Sequence, residues 1–140
     1  MTPEESTAPN LAALWQEAAH AADHRDFDAA MEFFAPDAVW DVQPLGISLE
    51  GAPAIRRFLE DWFGTYEDYG TEQVVGHNLG NGVVFAVTRL DARPIGSPSR
   101  VQERWAFTSA WAAEKIVRVI GRTDIADARA AAERLAEERG

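Results

Sequence analysis

Cysteine is missing from the 140-residue sequence, which excludes disulfides, thiolate nucleophiles and cysteine-bearing metal centres. Basic residues are scarce: 13 Lys and Arg stand against 23 Asp and Glu, for a formal net charge of −10. Such a chain repels phosphate backbones and anionic lipid at long range, so neither nucleic acid nor a membrane is an expected partner. No apolar run approaches the roughly 20 residues a bilayer crossing needs. Glycine-rich phosphate loops, dinucleotide fingerprints, nucleophile elbows and a Ser-His-Asp set are absent too. Histidine occurs three times. His20 and His24 lie four apart with Asp23 between them, a spacing a metal accepts, but they point largely away from the apolar stripe of their helix. With no third ligand, a solvated face is the better reading. No metal and no cofactor are expected, and a cytoplasmic location fits the cysteine count.

What the chain does have is a core. It is 46% hydrophobic and 10% aromatic, with five tryptophans, enough to bury the interior of one domain. The opening MTPEESTAP is acidic and proline-containing, with neither a basic nor an apolar signal region. Residues 1–9 therefore read as a flexible tail and residues 10–140 as a single domain.

Asn10 is a plausible N-cap for a helix carrying Leu11, Leu14, Trp15, Ala18 and Ala22 at helical spacing. A short second helix starts near Asp26 and stops by Pro36. DAVWDVQPLG alternates as a strand and breaks at Pro44 and Gly46. A third helix opens at Gly51 and Pro53, its apolar face made by Ile55, Phe58, Leu59, Trp62 and Tyr66. From Tyr69 the period falls to two, giving strands over Thr71–Gly76, Val83–Ala92, Arg100–Trp111 and Ile116–Thr123. The turn at AAEK lacks the usual glycine. A last helix begins around Asp124, its capping residue. Antiparallel strands with helices gathered to one side make an α+β fold, in which a bent sheet wrapped over helices encloses a cone suited to a small molecule.

The stretches DFDAAMEFFAPDAVWDV, LEGAPAIRRFLEDWF and KIVRVIGRTDIADARAAAERL resemble the nuclear-transport-factor-2-like superfamily, in particular its SnoaL-like branch of small bacterial proteins. The resemblance covers nearly all of the chain after the tail. It implies a conical, cystatin-like α+β barrel with a mixed or antiparallel sheet, an internal pocket and a homodimer. The superfamily hosts isomerases, polyketide cyclases, epoxide hydrolases and non-catalytic modules, so chemistry must be argued by residue.

Bulky aromatics mark the odd positions of Arg100–Trp111 as inward, and the same parity is expected on Val83–Ala92. Three charged groups then enter the cone: Arg89, Asp91 and Glu103. Asp91 is the expected base, Arg89 its partner or an oxyanion stabiliser, and Glu103 an acid. Trp15, Trp40, Val42, Phe85, Trp105, Phe107 and Val119 are expected to form the apolar substrate wall. A structural ion pair at the mouth is an equally good reading of Arg89 and Asp91.

The ketosteroid isomerases of the superfamily place a base and a tyrosine where this sequence has Val42 and Ala18, which cannot move a proton. Its epoxide hydrolases carry an Arg-x-Asp that Arg89 and Asp91 match. Their second aspartate falls on Gly121, and their water-holding Tyr and Asn fall on Trp40 and Val42. Asp124 matches a helix-capping position. Two functions follow as expectations. One is a cofactor-independent acid–base enzyme (isomerase, cyclase or epoxide-opening) acting on an apolar carbonyl- or epoxide-bearing molecule. The other is a non-catalytic ligand-binding or dimerisation module. Leu90, Ala106 and Thr108, small and semi-polar, are the expected dimer face on the outside of the sheet.

Overall fold

A computed structural model describes residues 10–140; the expected tail over residues 1–9 lies outside them. The elements run α1 (Leu11–Asp23), α2 (Phe27–Met31), β1 (Phe34–Val42), a 3-10 turn (Gln43–Leu45), β2 (Ile47–Glu50), α3 (Ala52–Gly64), β3 (Tyr66–Gly80), β4 (Val83–Pro94), β5 (Val101–Ala112), β6 (Lys115–Arg122) and α4 (Ile125–Arg139). The six strands form one curved sheet in the order β2-β1-β6-β5-β4-β3. Every neighbouring pair is antiparallel except β1 with β6. The sheet does not close, and β2 and β3 are its edges. The α+β class and the mixed, curved sheet are those the sequence implies.

Local chemistry sets most boundaries. Asn10 caps α1 by accepting from the Ala13 N–H. Asn78 accepts from the Ala12 N–H and donates to Asn10, which ties the start of α1 to β3. Asp124 caps α4 by accepting from the Asp127 N–H. The AAEK hairpin forms without glycine by placing Ala113 and Glu114 both in the left-handed region, φ 50° and 61°, as a two-residue primed turn demands. β1 runs through Pro36, where its pairing with β6 is irregular and a missing N–H is tolerated. The short edge strand β2 was not expected, because its mostly exposed residues show no alternation.

The two faces of the sheet are covered differently. On one lie α1, α2 and α3, packing Trp15, Ala22, Ile55, Leu59 and Phe63 against Phe34, Trp40, Val42 and Val119. On the other, α4 lays Ala128 and Ala132 over Phe85, Val87 and Ala106. The end of α4 is latched by Arg139, which donates to the carbonyls of Asn81 and Trp111, and by Asn81, which donates to the Ala136 carbonyl.

This second layer overturns the expected facing of β4. Ala86 pairs with Phe107, Thr88 with Trp105 and Leu90 with Glu103, so inward positions are even on β4 where they are odd on β5. Phe85 and Val87 point to α4, and Arg89 and Asp91 follow them onto the outer face. The pattern hid this because Val83–Thr88 is buried on both faces: with α4 over the outside, hydrophobicity carries no vote on register. The expected dimer face is split for the same reason. Leu90 points inward, Ala106 lies under α4 with no exposure, and Thr108 is buried.

Candidate functional site

A cavity of about 120 Å³ opens between α1, α3 and the inner face of the sheet. It exists because of a mismatch in side-chain size. Helices α1 and α2 present alanines to it (Ala18, Ala19, Ala22 and Ala30), while the facing wall is built from large rings. Trp40 lies at the centre of that wall, with Phe34 stacked on it at 6.0 Å, Phe107 edge-on at 6.0 Å and Trp15 tilted at 6.3 Å between ring centroids. Trp105 stacks on Phe107 at 6.0 Å. Gly121 lies behind these two rings; a Cβ there would come within 3.2 Å of Phe107.

Polar groups at the cavity are few. Asp23, Tyr69, Thr71 and Thr88 are the ones that line it besides the indoles of Trp15, Trp40, Trp62 and Trp105. Asp23 is the last residue of α1, where the negative end of the helix dipole disfavours a carboxylate. The Thr71 hydroxyl donates to its Oδ2 at 2.5 Å. Burial lifts the Asp23 pKa above the usual carboxylate value, against the opposing effects of the Thr71 hydrogen bonds and of His20 and His24. Tyr69 is raised well above the ordinary phenol value, by burial first and then by the negative charges of Asp23 and Glu103. Its oxygen accepts from the Trp62 indole N–H at 3.2 Å, which leaves the phenol proton to donate. A half-buried carboxyl and a neutral phenol thus sit close to each other in an otherwise apolar chamber. The Trp105 indole Nε1 is buried with no hydrogen-bond partner among the described residues.

Of the residues expected to form the substrate wall, Trp15, Trp40, Val42, Trp105 and Phe107 line the cavity. Val119 is fully buried in the same core but lies behind the lining, and Phe85 is on the opposite face under α4. The charged residues do not converge. Arg89 pairs with Glu72 at 3.1 Å, and Asp91 pairs with Arg100 at 2.6 Å and accepts from Gln102 at 3.3 Å. These groups are half-exposed on the outer face and border a second pocket, a groove of about 420 Å³, which meets the first at Thr71 and Leu90. The hydrogen bond from Arg100 holds the Asp91 carboxyl below its usual range, away from the poise of a base near neutrality. Glu103 is on the inner side, opposite Leu90, yet exposed and beyond the cavity lining. His20 and His24 are exposed, their rings 4.2 Å apart on the outside of α1.

Asp23 was not among the expected site residues. It lies eight residues beyond Trp15 and four beyond Ala19, on the inward stripe of α1, and a carboxylate on an apolar stripe was the available signal. Tyr69 gave none, because β3 begins at Tyr66, before its alternation becomes regular.

A curved mixed sheet packed on three helices, with an apolar chamber between them, defines the class of protein. The chain belongs to the SnoaL-like domain family, whose model matches residues 15–119. Solved structures share the fold at low identity. A ketosteroid isomerase-like protein from Catenulispora acidiphila, solved with trimethylamine, matches at 16% identity and a TM-score of 0.71, over 82% of this chain and 85% of that one. A candidate SnoaL-like polyketide cyclase from Shewanella putrefaciens matches at 14% identity and 0.72, over 94% and 96%. A nuclear-transport-factor-2-like protein of unknown function from Burkholderia pseudomallei matches at 13% identity and 0.73, over 86% and 95%. No curated protein matches the sequence. No helix among the described residues is long and apolar enough to cross a membrane.

Proposed function

We propose that this chain binds a small, mainly apolar molecule in the chamber between α1, α3 and the sheet, oriented by Asp23 and Tyr69. One observation carries the reading: a chamber floored by alanines and walled by aromatic rings is lined by one carboxyl, Asp23, and one phenol, Tyr69, which feels the charge of the first. The void is comparable in size with an engineered cavity of roughly 150 Å³ that holds benzene. A neighbour of the same fold was solved with trimethylamine, which supports a small ligand in this architecture. Cyclohexanone is a suitable neutral probe. Its binding is expected to change tryptophan fluorescence, since Trp15, Trp40, Trp62 and Trp105 all line the chamber; a flat titration up to the solubility limit would refute the reading.

A second reading, proton transfer, is favoured by the raised pKa of Asp23 and the free donor on Tyr69. Asp23 would take the proton from a carbon next to a carbonyl. The C–H electron pair becomes the C=C of an enolate, and Tyr69 donates a hydrogen bond to its oxygen. Deuterium exchange into cyclohexanone, followed by NMR in D₂O, tests it: exchange above the buffer rate is expected and should vanish in Asp23→Asn. The roles expected of Asp91, Arg89 and Glu103 have less support, since Arg89 and Asp91 are engaged in ion pairs on the outer face and Glu103 lies beyond the cavity lining. A cytoplasmic homodimer remains part of the proposal, through the outer sheet surface that α4 leaves open. Light scattering should then give twice 15.4 kDa, and a monomer mass would remove it.

A further inference from the structure

We propose that the chamber selects a small alkylated ammonium ion, seated among the aromatic rings with Asp23 as its counter-charge. This rests on the reading that the chamber is the binding site, and it names the ligand class for that site. Asp23 is the one charged side chain among the described residues lining the cavity, and no Lys, Arg or His joins it there. The remaining surface is nine aromatic rings, aliphatic groups and the side chains of Thr71 and Thr88. Ring π-systems attract cations, and do so most strongly where water is excluded.

Each competing ligand class meets an obstacle. An anion would face the Asp23 carboxylate and the electron-rich rings with no cation to offset them. A purely neutral ligand would leave the half-buried carboxylate of Asp23 with no counter-charge inside the chamber, its one observed side-chain donor being Thr71. A bare metal ion needs several oxygen ligands, and a single carboxylate cannot replace its hydration shell. A primary ammonium is compact and strongly hydrated, with three donors to satisfy. An alkylated ammonium spreads its charge under an apolar skin, which suits both the rings and the carboxylate. The net charge of −10 also raises the local concentration of cations around the molecule.

Choline and 3,3-dimethylbutan-1-ol have nearly the same shape, with carbon replacing the charged nitrogen in the alcohol. Both would be titrated into the full chain by tryptophan fluorescence and calorimetry. Choline is expected to bind about tenfold tighter than the alcohol. In Asp23→Asn, which keeps an oxygen to accept from Thr71, the preference should disappear while the alcohol still binds. Equal affinities in the unmodified chain would overturn the ammonium assignment and leave the chamber reading standing. Binding of neither probe would overturn both. The comparison between probes is made on the unmodified chain, so it holds whatever the variant's stability.

Discussion

Replacing Trp40 with alanine removes the ring at the centre of the aromatic wall. Trp40 is 9% exposed and touches Phe34, Phe107 and Trp15 at centroid distances of 6.0, 6.0 and 6.3 Å. Large aromatic-to-alanine changes in a core cost about 3–5 kcal/mol. Pair interactions of about 0.5–1.5 kcal/mol each are contained in that figure and do not add to it. One side of the indole already borders the chamber, so it forfeits fewer contacts than a ring packed on all sides. The lower end, about 3 kcal/mol, is therefore expected. For a domain of this length each kcal/mol moves the melting temperature by about 2–4 °C, giving a fall of about 6–12 °C. Urea unfolding followed by circular dichroism measures the free energy directly. A loss below about 1 kcal/mol would mean that the ring is not packed as described, and the wall built on it would have to be abandoned.

Asp23→Asn should stabilise the chain at neutral pH. With its pKa raised on folding, Asp23 binds its proton more tightly in the folded state. Its own contribution to stability is then fully present in acid and is lost as pH rises from the ordinary carboxylate value through the raised one. Melting curves of the variant should converge with the parent's in acid and exceed them near neutrality; a lower melting temperature at pH 7 would contradict the site's electrostatics. Tyr69 acts at the other end of the scale: because its folded pKa lies above the unfolded one, stability should fall as pH climbs above about 10. Absorbance at 295 nm during alkaline titration should show tyrosine ionising together with unfolding rather than before it. Gly121→Val should weaken cyclohexanone binding, because the added carbons press on Phe107 and Trp105 from behind and overpacking of this kind costs about 1–3 kcal/mol. Unchanged affinity would show that those rings do not bound the ligand space. Asp91→Asn, confined to the outer groove, should leave probe binding as it was.

The helices and five of the six strands could be read from the sequence because each carries a local signal: Asn10 and Asp124 at caps, the 3.6-residue stripe of α3, the Asn81–Gly82 turn. The family resemblance added the order in which they pack. What escaped was which side of β4 faces in. That depends on the β4–β5 register and on α4 covering Phe85 and Val87, and neither is local. Arg89 and Asp91 matched a known Arg-x-Asp spacing, yet spacing along a strand fixes only that two residues share a face. The chamber's polar end was missed for a related reason. Asp23 and Thr71 are 48 positions apart and meet where α1 packs across β3, whose other end is tied to α1 by Asn10 and Asn78. Trp15, Trp40, Val42, Trp105 and Phe107 line the cavity as expected from the sequence, because large rings and apolar groups in a cone have few other places to go.

The chamber carries most of this functional reading, and five tryptophans provide a direct test of it. Each contributes one indole N–H resonance to a ¹H–¹⁵N spectrum. Four of them, Trp15, Trp40, Trp62 and Trp105, line the cavity, whereas Trp111 is buried elsewhere and donates to Ser109 at 2.8 Å. On addition of choline or 3,3-dimethylbutan-1-ol, the four lining resonances and the amides of Asp23 and Tyr69 are expected to shift while Trp111 stays in place. Shifts gathered instead at Arg89, Asp91 and Gln102, with the indoles unmoved, would put the ligand in the outer groove and contradict the chamber as the site.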